Sequence, residues 1–140
     1  MPVDIIKPSI AATTVQKTLK KEVYSIFCEV AIDEGGVPVL VLEEGASRGV
    51  KSVELNDLNG YVFTLDPVAP ITQILNASFI LLQDNVTASS YATPVLTGVD
   101  VENAKVTVSF LVPEGSVYPH LLSPGDYLEG TFVYTTSHVP

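Results

Sequence analysis

Two histidines, one cysteine and a scatter of paired carboxylates are the residues of this chain whose chemistry could reach beyond packing. A serine hydrolase relay would need a histidine beside its nucleophile. His120 is embedded in Tyr118-Pro119-His120-Leu121-Leu122 and His138 is third from the end, so the first reads as a loop packing residue and the second as a solvated tail residue. Cys28 sits inside the run Val23 to Ile32 with no second cysteine to bridge, and is expected to be a small buried hydrophobe. Carboxylates gather on turns at Asp33-Glu34, Glu43-Glu44 and Asp100-Val101-Glu102-Asn103, the oxygen-rich setting a hard cation such as calcium takes. None completes a ligand pattern, and acidic turn residues ordinarily close Asx turns, so no metal and no cofactor is expected. The carboxylates could also pair as in a glycosidase, but no spacing singles out two of them. No catalytic residue emerges, and the expectation is a protein that is not an enzyme.

Charge placement says more than any of these groups. Four of the seven Lys/Arg, namely Lys7, Lys17, Lys20 and Lys21, fall in the first 21 residues beside one carboxylate, Asp4, giving +3 there. The remaining three bases and fifteen acids leave residues 22 to 140 at −12, which together recover the net −9. Such a body repels nucleic acid, while a basic arm is drawn to an acidic surface. The reading is therefore an extended basic arm and lead-in over residues 1–21, with Lys7, Ile10, Val15, Lys17, Leu19, Lys20 and Lys21 as its partner-binding residues, ahead of a single domain over 22–140. Charged residues make up only 16% of the chain against 46% apolar, a thin coat that leaves apolar surface for contacts between chains. No secretory leader and no run of about 18 apolar residues is visible, so synthesis in the cytoplasm without membrane insertion is expected.

The elements that must carry these residues are strands. Tyr24, Ile26, Cys28, Val30 and Ile32 alternate up to the turn Asp33-Glu34-Gly35-Gly36. Val37 to Leu42 follows with Pro38 inside it, which restricts that strand to an edge or delays its start to Val39. Val50 to Leu55 and Tyr61 to Leu65 flank Asn56 to Gly60, the clearest hairpin. After Pro70, the spacing of Ile71, Ile74 and Leu75 predicts one or two helical turns, and Ala77 to Gln83 reads as a continuous, central apolar strand. Tyr91 to Val101 and Lys105 to Leu111 bracket the turn at Glu102-Asn103-Ala104, Pro113 to Gly125 is the longest loop, and Tyr127 to Thr135 closes the chain. Tyr61, Tyr127 and Tyr134 fall on strands, where cross-strand packing explains them. The fold class is all-β, an antiparallel sandwich or barrel of about seven to eight short strands with an extended N-terminal arm.

From Ser47 onward, four stretches carry a resemblance: Ser47-Arg48-Gly49-Val50-Lys51-Ser52-Val53, Gly60 to Pro67, Val99-Asp100-Val101 with Lys105 to Val108, and Pro124-Gly125-Asp126-Tyr127-Leu128. Together they resemble small β-rich virion structural proteins of tailed bacteriophages. The resemblance implies a capsid decoration or cement protein located on the outside of the phage head, holding the major capsid protein or other virion proteins. It also implies a homo-oligomer, with a trimer as the form to test, and no site residues transfer with it. In such a role an extended arm adds to a neighbouring sheet through main-chain hydrogen bonds, and repeated copies raise its effective concentration. A tail or fibre component, or a carbohydrate- or calcium-binding sandwich module, are the alternative readings.

Overall fold

The chain was analysed as a computed structural model, which describes residues 13–17, 21–42, 47, 49–56, 58, 60–84, 92–119 and 122–137. Ten strands fill them, and no helix is found among these residues: β1 Thr13–Lys17, β2 Lys21–Ile32, β3 Pro38–Leu40, β4 Val50–Asn56, β5 Gly60–Leu65, β6 Ile71–Leu82, β7 Thr93–Asp100, β8 Lys105–Leu111, β9 Val117–Tyr118 and β10 Tyr127–Ser137. All pairings are antiparallel. One sheet runs β1-β2-β10-β6 with β3 also on β2, and the other runs β4-β5-β8-β7 with β9 also on β8. Of the sandwich or barrel expected from the sequence, the fold observed is the all-β antiparallel sandwich, with ten strands among the described residues where about seven to eight were expected.

Alternation places the core between the two sheets. From β2 come Tyr24, Ile26, Cys28, Val30 and Ile32; from β10, Leu128, Phe132 and Tyr134; from β5 and β8, Tyr61, Phe63, Leu65, Val106, Val108 and Phe110. Phe63 on one sheet meets Phe79 and Phe132 on the other, with ring centroids 5.4 and 5.5 Å away, and those two lie 5.7 Å apart edge to face. Such a triangle adds specific ring geometry to plain burial. Gly130, in the middle of β10, makes room for it: a Cβ there would lie 3.1 Å from Phe79 and 3.2 Å from Phe132.

Two expectations for residues 71–83 are corrected. Ile71, Ile74 and Leu75 belong to β6 rather than to helical turns, and the three-residue spacing arises from two bulges, one at Thr72, where Thr135 pairs with Gln73 but Thr136 with Ile71, and one at Leu75. Val133 pairs with Asn76 but Tyr134 pairs with Ile74, so Leu75 is an extra residue and the inward positions shift by one. That converts an alternating pattern into one with a three-residue step. The strand over Ala77 to Gln83 is not central either. It pairs with β10 alone and forms an edge of its sheet, while β2 and β10 hold the centre. Its continuous apolar character reflects a second side that is not core.

Elsewhere, boundaries shift. The strand containing Pro38 is confined to three residues at an edge, in keeping with the missing donor. The Pro113 to Gly125 loop carries the two-residue β9 against Phe110 and Leu111, and β10 runs on to Ser137.

Candidate functional site

Of the residues assigned to arm binding, Lys7, Ile10, Leu19 and Lys20 lie outside the described residues, as do His120, His138 and the Glu43-Glu44 pair. Val15 and Lys17 lie on β1, which pairs with β2 of its own chain: Val15 opposite Tyr24, Lys17 opposite Glu22. Lys21 opens β2 opposite Ser137. Part of the lead-in is thus one strand of the body's own sheet. β1 and β3 share one edge of β2, covering Glu22–Ile26 and Val30–Ile32 respectively. Between them Ser47 fills the gap, its hydroxyl accepting from Glu29 N at 3.0 Å and donating to Glu29 O at 3.3 Å, while Val41 N also donates to that carbonyl.

The turn carboxylates are occupied locally. Asp33 Oδ1 accepts from Gly35 N at 2.8 Å and from Val37 N at 2.9 Å, an Asx turn. Asp100 accepts from Asn103 N and Nδ2, and those hydrogen bonds, Asn103's side chain first, hold its carboxyl below the usual range. Among the described residues no group of three or more His, Cys, Asp or Glu is placed to hold a metal ion. Cys28 is fully buried and burial pushes its thiol up to about 12, which keeps it from being a thiolate at neutral pH.

A carboxylate that motif reading passed over does structural work. Asp126 is buried, and its two oxygens accept from Asp84 N and Ser123 N, both at 2.9 Å. It clips the exit of β6 to the turn leading into β10. The sequence signal was Ser123-Pro124-Gly125-Asp126, a turn whose last residue bonds back, visible only as grammar.

Two surfaces remain as candidates. The first is the outer face of the sheet containing β2, β10 and β6. Register sets Val39, Ala31, Tyr127 and Leu82 in one row, Glu29, Glu129 and Ile80 in the next, and Phe27, Thr131 and Ser78 in a third. Phe27, Val39, Ile80 and Leu82 are exposed, the last two by 60% and 57%. In their midst Glu29 and Glu129 stand directly opposite, an arrangement of like charges that costs stability unless a cation joins them. Burial, the hydrogen bond to Glu29 and the charges of Glu29 and Glu129 together push the Tyr127 hydroxyl up.

The second is a groove of about 430 Å³ on the outer face of the other sheet. Thr97, Gly98, Thr107 and Ser109 form its floor, and Leu58, Val117 and Pro119 its walls. A bulge in β7 puts Gly98 opposite Thr107 and leaves Thr97 as the extra residue, its Oγ1 lying 3.2 Å from Ser109 Oγ. The floor offers hydroxyls that can hydrogen-bond a small polar ligand, and none of the described lining residues is titratable. Comparisons with protein-family models, with curated proteins and with solved structures find no match to this chain.

Proposed function

We propose that this chain is a non-enzymatic structural protein that works by gripping other protein surfaces, and, on the resemblance of its hairpins to those of phage virion proteins, that it is a capsid decoration protein on the head of a tailed bacteriophage. The observation that carries this reading is the outer face of β2, β10 and β6, where exposed Phe27, Val39, Ile80 and Leu82 surround the opposed Glu29 and Glu129. An apolar field with two opposed carboxylates at its centre suits a protein partner bearing apolar and basic groups. The groups with reactive potential in the described body are spent on structure: Cys28 in the core, Asp33 and Asp100 in turns, Asp126 in its clip. In this role the basic arm supplies a second contact, and copies on one shell reinforce each other.

The test is co-sedimentation of the purified chain with tailed-phage heads stripped of their outer proteins. Residues 1–12 are the segment to remove, because β1 pairs with β2 and its loss would strip an edge from the body. The full chain is expected in the pellet and the chain lacking residues 1–12 in the supernatant. Absence of full-length binding, or equal binding by both, overturns the proposal. The hydroxyl-floored groove favours a second reading as a carbohydrate-binding module, which a glycan array with no signal would remove.

A further inference from the structure

β6 differs from every other edge strand in the described structure. Natural sheets guard their edges with charges, prolines, glycines or brevity, because a bare row of N–H and C=O groups invites another strand. β4 carries Lys51 and Glu54, β7 carries Pro94, Gly98 and Asp100, β1 carries Lys17, and β3 is three residues long with Pro38. β6, ITQILNASFILL, is twelve residues long and contains no charged residue and no proline or glycine. Its guards are two bulges, at Thr72 and Leu75, which interrupt the first half and leave Asn76–Leu82 as a regular edge. On this half Ile80 and Leu82 point outward, both more than half exposed.

We propose that Asn76–Leu82 of β6 pairs antiparallel with the same segment of a second copy, joining the two sheets into one continuous sheet across a two-fold axis. The occupant follows from charge. In an isologous antiparallel pair residue i of one copy faces residue j of the other, and with no charged residue in β6 no register sets like charges opposite each other. The rest of the body carries −12 and repels its copy, so the uncharged edge is where two copies can approach most closely. Across the joint Ile80 and Leu82 of each copy cover one another along the outer face, and the main-chain groups that β10 leaves unpaired on β6 find partners. Two-fold closure uses up both edges and stops growth, whereas a three-fold ring would need two different edges to meet. Edge pairing of β6 needs nothing from the arm, so loss of particle binding and loss of pairing are separate results.

The experiment is the solution mass of the full chain by sedimentation velocity, from dilute samples to about 10⁻⁴ M, where small interfaces associate. Wild type is expected to move from a mass of 15.0 kDa to twice that value. The double variant Ser78→Lys/Ile80→Lys is expected to stay at the single mass, with far-UV circular dichroism and thermal midpoint matching wild type in dilute solution. Hydrogen exchange on wild type provides a reading that no variant can confuse: the alternate amides of Asn76–Leu82 that point away from β10 should gain at least tenfold protection on concentration, and those of β4 none. A wild type that stays at the single mass, a lysine variant that still doubles, or a doubling abolished by removing residues 1–12 instead would each overturn the proposal.

Discussion

Raising the pH should unfold this protein in a window set by its core phenols. Tyr61 and Tyr134 are 0% and 2% exposed. Their hydroxyls are pushed from 10.0 up to about 12, chiefly by burial, with the charges of Asp126 and Asp66 adding to it. A group whose folded form holds its proton more tightly contributes stability that is whole below about pH 10 and is lost as the pH climbs through about 12. Two units at about 1.4 kcal/mol each give roughly 3 kcal/mol for each tyrosine. The Cys28 thiol, raised from 9.0 to about 12 by burial, acts in the same direction from about pH 9. Together these approach the whole stability of an ordinary domain, about 5–15 kcal/mol. Urea titrations between about pH 8 and pH 12, with phenolate absorbance followed in parallel, read this out. The midpoint should hold to about pH 9 and then fall, with phenolate appearing in step with unfolding. Tyr61→Phe should match or exceed wild-type stability at neutral pH, because no partner for the Tyr61 hydroxyl is found among the described residues. The double variant Tyr61→Phe/Tyr134→Phe should flatten the alkaline decline by roughly 4–5 kcal/mol at pH 12. Phenolate forming near pH 10 with near-UV circular dichroism unchanged, or a double variant that declines as steeply as wild type, would refute the reasoning.

Gly60→Ala should destabilise the fold by at least about 3 kcal/mol in a urea titration, since Gly60 has φ +118° and a Cβ there would sit 2.3 Å from the Val108 carbonyl oxygen; a cost under about 1 kcal/mol would show that this hairpin is free to move. Asp126→Ala should cost about 2–4 kcal/mol by orphaning two backbone N–H groups, and its hydrogen exchange should rise at Asp84 and Ser123 before the core; uniform exchange would mean the clip is not local.

Much of the body was legible because strict alternation ties a side chain's identity to its face. Tyr24 through Ile32 and Val106 through Phe110 alternate without interruption, and the structure buries the residues that pattern selects. The same logic failed at β6, where the bulges at Thr72 and Leu75 imitate helical steps. A long apolar run there suggested burial on both faces, but a run of that kind also results when the outward face is apolar for another reason. Pro38 marked its edge correctly because a missing donor is a local fact. The turn Ser123 to Asp126 was visible, but nothing local could mark the clip of Asp126 to Asp84 or the seat of Ser47 on Glu29, partners 42 and 18 residues away. The outer-face candidate was likewise hidden: Glu29 and Glu129 become neighbours only through the register of β2 with β10.

The hydroxyl of Ser47, seated on both main-chain groups of Glu29, divides a twelve-residue strand into two berths of fixed size. Any strand lying along Glu22–Ile26 meets an end-stop before it can slide toward Val30, and β3 meets the same stop from the opposite direction. A small side chain, with Val41 beside it, thereby occupies the stretch of edge between two strands whose registers must both be kept, since a one-residue slip of either would turn its side chains to the opposite face.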